Sequence, residues 1–151
     1  MLTLLSFSPR RNSLELPTNT EAQTPDMKLF TIQEANALLP SVRTIVGKIQ
    51  KAHGHVARYR DEASKAAESA EKGGGGVSTG LDYAKALTDL ADQIARLETL
   101  GVQLKDFERG LVDFPSLRDG RVVLLCWQMG EGDELEWWHD VDAGFAGRTP
   151  L

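Results

Sequence analysis

Cysteine is nearly missing from this chain: a single thiol, Cys126, stands among 151 residues. One cysteine excludes an internal disulfide framework and suits a reducing compartment, so the cytoplasm is the expected location. Long apolar runs are missing as well. None approaches the roughly 20 residues that span a bilayer, and no membrane partner is expected. The apolar opening MLTLLSF carries Arg10 and Arg11 after it rather than before it, the reverse of a secretory leader. A basic excess is also missing: 17 Lys and Arg against 22 Asp and Glu leave a net charge of −5. Nothing is left over to displace phosphate counterions, which argues against nucleic acid as a partner. The chain has no HExxH, GxSxG, GxGxxG or CxxC pattern, and no Gly-Lys-Ser/Thr follows Gly73–Gly76. The enzyme classes that announce themselves by those motifs are set aside.

What is present is unevenly distributed. Residues 1–101 balance twelve basic against twelve acidic residues, whereas residues 102–151 hold five basic and ten acidic ones. The whole negative surplus belongs to the C-terminal third. A length of 151 residues supports one core. Residues 1–26, rich in Ser, Thr, Asn and Pro without sustained period, read as a disordered extension. Met27 stands directly before the first patterned segment and is an alternative start. Residues 27–151 then form a single α+β domain.

Thr31 and Glu34 have capping-box spacing, with Phe30 and Ala35 placed as a staple, so a helix starts here. Pro40 either kinks it or opens a second helix. Beyond it Val42, Ile45, Ile49, Ala52, Val56, Tyr59, Ala63, Ala66 and Ala70 alternate steps of three and four, a heptad seam that Ala35 and Leu38 extend backwards. Its far end is alanine-rich, so contacts there are thin. Gly73–Gly76 forms a flexible connector. A second seam, Tyr83, Leu87, Leu90, Ile94 and Leu97, completes an antiparallel helical hairpin over residues 31–100. The first helix is the longer, and its overhanging N-terminal end must pack on the β segment, residues 102–142. Gly101 suits the residue just past the second helix. Arg121–Gln128 and Glu134–His139 read as strands across a Gly-rich turn, Val102–Leu104 and Leu111–Phe114 as short edge strands. Residues 143–151 read as loop.

The run Gly110-Leu111-Val112-Asp113-Phe114-Pro115, then Asp119-Gly120-Arg121, Cys126-Trp127, Gly130-Glu131, Trp138-His139 and Gly144 to Pro150 carries a resemblance. It is similar to the C-terminal signature of a prokaryotic family known only as domain of unknown function 2203. Phe30-Thr31 with Glu34-Ala35-Asn36-Leu38-Leu39-Pro40 resembles that family's N-terminus. The resemblance runs from Met27 to Leu151 and implies no activity, cofactor or partner.

Two constellations could carry chemistry. His139, Asp142 and Asp113, with Glu131 nearby, combine imidazole and carboxylate and suit a divalent metal. On a strand, His139 and Asp140 point to opposite faces, and Asp142 joins His139 only if the chain stays extended. The competing reading is a strand-end histidine beside acidic surface residues. Arg118, Arg121 and Arg148, with Trp138, suit an anionic ligand, especially where Gly144 and Gly147 bring backbone N–H groups close. Against this, the same arginines could pair with the carboxylates of their own segment. Trp137 and Trp138 should face opposite sides, one on the helices and one outward or under the tail. Cys126, between Leu125 and Trp127, reads as a buried structural thiol. His53 and His55 lie about 200° apart around their helix and cannot share a metal. The expected function is a non-catalytic interaction module, a homo-oligomer or a binder of helical partners. The alternative is a ligand- or metal-binding protein, a hydrolase among the options, with its site in the β segment.

Overall fold

A computed structural model describes residues 26–71 and 77–151. The disordered extension assigned to residues 1–26 therefore lies outside the described residues except for Asp26, and the Gly73–Gly76 connector lies outside them entirely. Helix α1 spans Ile32–Ala70 and helix α2 spans Val77–Thr99. Five strands follow: β1 Gln103–Asp106, β2 Leu111–Arg118, β3 Arg121–Gln128, β4 Trp137–Asp140 and β5 Thr149–Pro150, with a 3₁₀ turn at Phe145–Gly147. The strands pair antiparallel in the order β1-β2-β3-β4-β5. The molecule is an α+β fold, a two-helix hairpin laid on a meander sheet.

The capping box at the start of α1 is complete. Glu34 N–H donates to the Thr31 hydroxyl oxygen at 3.1 Å, and Thr31 N–H donates to the Glu34 carboxylate at 2.8 Å. Pro40 neither ends the helix nor starts a new one; α1 runs through it. At its other end, α2 stops as Gly101 takes φ +84° while Val102 N–H reaches back to the Leu97 carbonyl at 3.2 Å. That six-to-one bond across a left-handed glycine needs the residue without a Cβ.

Burial along α1 divides it in two. Ala35, Leu39, Val42, Val46, Ile49 and Ala52 are buried, and no residue of α1 beyond Ala52 is. The buried half meets Val112, Phe114, Leu125 and Trp127 of the sheet together with Leu97 and Val102. Leu38 and Ile45 sit at the margin of this core, because α1 serves α2 and the sheet on two adjoining stripes. The expected overhang is thus covered by the sheet. On α2 the inner stripe is Ala86, Leu90, Ile94 and Leu97, and Leu87, expected on the seam, is 42% exposed.

Strand β4 begins at Trp137 rather than at the expected Glu134, and the sheet departs from expectation at three further points. First, β2 is a full eight-residue strand joined to β3 by the two-residue turn Asp119-Gly120, with φ +50° and +75°. Such mirror-image turns match strand twist, and Asp-Gly is a strong signal for them. Second, Pro115 sits inside β2, where it is tolerated because β1 pairs only as far as Asp113. The Pro115 carbonyl accepts from Phe30 N–H at 2.7 Å, so the segment leading into α1 meets that edge. Third, the tail is not all loop: Thr149 and Pro150 pair with Trp138 and Trp137. No helix among the described residues is long and apolar enough to cross a membrane.

Candidate functional site

Strand alternation gives the sheet two unlike faces. Val112, Phe114, Leu125 and Trp127 turn to the helices. Asp113, Cys126 and His139 turn to the other face, yet they are only 1%, 0% and 3% exposed. Asp113 stands directly opposite Cys126 across β2 and β3, and His139 comes from the next strand, opposite Leu124. Their donor atoms, Oδ, Sγ and an imidazole nitrogen, all lie within 4.8 Å of one another. The chain after β4 folds back over this face, with Arg148 lying over the rings of Trp137 and Phe145.

The hydrogen bonds fix the chemistry of the cluster. His139 Nδ1 lies 2.8 Å from the Asp140 carbonyl oxygen, which can only accept, so Nδ1 carries the hydrogen and donates. His139 Nε2 faces Asp113 Oδ1 at 3.2 Å. The hydrogen-bond partners of both ring nitrogens are groups other than Cys126. Burial first, and the Asp113 charge second, push the Cys126 thiol up to about 12, against a smaller opposing pull from Arg148. A thiol held in that state is no nucleophile near neutral pH. Lys105 Nζ stands 3.9 Å from Asp113 Oδ2 at the exposed edge.

The metal candidates are thus partly assembled. His139 and Asp113 meet, but Asp142 does not join them: it is exposed in the turn after β4. The chain bends there, with Ala143 N–H donating to the Asp140 carbonyl at 3.0 Å, instead of staying extended. Glu131 is committed elsewhere, accepting from both Arg148 Nη1 and Nη2 at 2.6 and 2.8 Å and from Gln128 N–H at 2.8 Å. Burial works against the Arg148 charge, but the Glu131 carboxylate outweighs it and raises the pKa of the guanidinium. Cys126 enters the cluster unforeseen. The Asp119-Gly120 turn was the available signal: a two-residue hairpin starting at the pair Arg118 and Arg121 sets Asp113 opposite Cys126 by counting alone.

The ligand candidates split between the two faces. Arg118 and Arg121 both stack on Trp138, at 4.6 and 5.9 Å from the ring centroid, and Arg121 is paired with Asp140. Arg148 is on the opposite face with Trp137. The tryptophans divide as alternation requires, Trp138 packing against the core and Trp137 lying under the tail. Beside Arg118 a groove of about 680 Å³ opens between the entry to α1 and the β2–β3 turn, lined by Leu29, Phe30, Ile32, Leu117, Val123 and Leu151 among others.

Fold and site together define a two-helix, five-stranded α+β protein with a buried carboxylate–thiol–imidazole cluster. The chain belongs to a family of uncharacterized conserved proteins, domain of unknown function 2203, whose model matches residues 28–151. No curated protein matches it. No solved structure matches it either.

Proposed function

We propose that this protein is a non-catalytic assembly module that pairs with a second copy of itself through the free end of its helical hairpin. The observation carrying this reading is the polarity of charge along α1, basic before residue 61 and acidic after it. Residues 41–60 hold Arg43, Lys48, Lys51, Arg58 and Arg60 and no acidic residue; residues 61–71 hold Asp61, Glu62, Glu68 and Glu71 against Lys65. Contact with the sheet ends where His53 stacks on Phe107 at 5.1 Å and Gln50 reaches the Glu108 carbonyl. From there α1 runs on for roughly 25 Å with α2 as its companion. Two such arms laid antiparallel about a two-fold axis set each acidic tip against the other's basic stretch, a self-complementary contact of the isologous kind. The half-buried Val56, Tyr59, Ala63 and Ala66, together with exposed Leu87, supply apolar surface for a coiled-coil-like four-helix closure in the cytoplasm.

Light scattering and sedimentation of the full chain at tens of micromolar should give a dimer that weakens as salt screens the arm charges. Glu62→Lys with Glu68→Lys should dissociate it, as should Arg58→Glu with Arg60→Glu, and mixing the two variants should restore a heterodimer. A monomer throughout that range overturns the reading. So does a dimer indifferent to both charge reversals.

The groove supports a second reading, a site for an amphipathic carboxylate. Its walls are apolar, Leu29, Ile32, Leu117 and Leu151 are exposed there, and no carboxylate among the described residues pairs with Arg118 at its edge. Titration calorimetry should find dodecanoate bound and dodecylamine not, with Arg118→Gln losing most of the affinity; equal binding of the two probes removes this reading.

A further inference from the structure

The cluster on the outer face of the sheet poses a problem that self-pairing leaves untouched. The Asp140 carbonyl holds the hydrogen of His139 on Nδ1, which turns the Nε2 lone pair toward Asp113 Oδ1 only 3.2 Å away. Two acceptors face each other in a region from which water is excluded, and a positive species has to lie between them. A proton meets that need for the two groups alone. The third donor, Cys126 Sγ, which the pairing of β2 with β3 brings to the same point, bears on the same Asp113 carboxylate.

We propose that Asp113, Cys126 and His139 are three ligands of one divalent ion of zinc type in a buried structural centre, its fourth position filled by the second Asp113 oxygen or by a water. The donor set is right for it: carboxylate oxygen, thiolate sulfur and imidazole nitrogen are the three ligand types zinc uses, and their mixture suits a borderline ion better than calcium or magnesium. The charge is right as well. A carboxylate, a thiolate and a neutral imidazole sum to −2, so a divalent ion neutralises the three donors, with Arg148 outside them already balanced by Glu131 and Lys105 at the exposed edge. The supporting contact is right too. A metal-ligating imidazole usually donates its other N–H to a carbonyl or carboxylate, as His139 Nδ1 does to Asp140.

The spacing is close to what such a centre needs. Bonds of the usual zinc lengths place tetrahedral ligand atoms roughly 3.5 Å apart. Asp113 and His139 already stand at 3.2 Å, and no pair of donors in the cluster exceeds 4.8 Å. Binding releases to solvent the Cys126 thiol proton and the proton shared by His139 and Asp113 in the metal-free state as the ligand–metal bonds form. The near-complete burial of all three residues leaves no face for a substrate, so the ion would tie β2, β3 and β4 together rather than activate water. Lys105, at 3.9 Å from the other Asp113 oxygen, stands at the exposed edge of the cluster.

The test uses the full chain, purified without an affinity tag, stripped by chelator and titrated with cobalt(II) and then zinc(II). The expected result is one equivalent of cobalt, a near-ultraviolet thiolate-to-cobalt charge-transfer band with tetrahedral visible bands, and displacement of both by zinc. Cys126→Ser should abolish the charge-transfer band, and Asp113→Asn or His139→Gln should weaken zinc binding at least tenfold. Zinc should raise the unfolding midpoint of the parent protein and leave that of the triple variant unchanged. If Cys126→Ser does not fold, the cobalt spectrum of the parent protein decides alone. Cobalt bound without a thiolate band, or zinc retained below about a tenth of an equivalent, overturns the proposal and leaves a proton-sharing network.

Discussion

Thr31 and Glu34 show how much a few side chains decide at the start of a long helix. Each accepts from the other's backbone N–H, so two of the unpaired donors of the first turn of α1 and its cap are satisfied at once. Thr31→Ala should cost about 1 kcal/mol in urea unfolding at neutral pH. The bond from Thr31 N–H to the Glu34 carboxylate, aided by the Thr31 hydroxyl, lowers the Glu34 pKa from its ordinary 4.5. The sign follows from that depression. The folded state favours the ionised form, so the contribution is present above 4.5 and is lost as the pH falls through the lower folded value. Glu34→Gln should therefore be less stable than the parent at pH 7, with the gap closing on acidification below 4.5. A gap that persists at low pH would show that the charge is not its source. This cap was legible in the sequence because its partners lie three residues apart. Cys126 beside Asp113 is the opposite case: the two are 13 positions apart, and only the register of the β2–β3 turn joins them.

At the scale of elements, the helices were more legible than the strands. A heptad seam repeats many times and survives the loss of one position, so Leu87 could leave the inner stripe without changing the fold. Strands β4 and β5, at four and two residues, carry too little pattern to be read alone. What holds the last of them is a side-chain lock rather than a period. Arg148 makes its paired bonds to Glu131 while its side chain is only 11% exposed, and it lies over the rings of Trp137 and Phe145. A bidentate guanidinium–carboxylate pair in such surroundings positions a segment firmly, and removing one partner strands the other's charge. Arg148→Ala should cost about 2 kcal/mol of stability, within the range for a broken part-buried charged hydrogen bond. Peptide-resolved hydrogen exchange should speed up over residues 145–151 and stay unchanged in α1. Equal acceleration across the sheet and both helices would show that the lock serves the whole fold and not the tail.

The whole molecule has a stiff end and a thin end. Around the sheet, α1 is covered on two stripes; beyond Ala52 it has α2 alone, and no α1 residue is buried there. Opening free energy follows burial, so the arm belongs to the low-stability part of the structure. In dilute solution, amides of residues 56–70 and 82–88 should exchange well before those of residues 35–49, 94–97 and the central strands. Pairing through the arm would change that order in one direction only, because a partner that binds the closed arm stabilises it by mass action. Raising the protein concentration through the dimerisation range should slow exchange in the arm and leave the sheet end unaltered, and added salt should reverse the effect. Concentration-dependent slowing confined to residues 29–33 and 116–118 would instead place the contact at the apolar groove. An arm already as protected as the sheet in dilute solution would mean that two helices suffice there, and the physical motive for a partner would be gone.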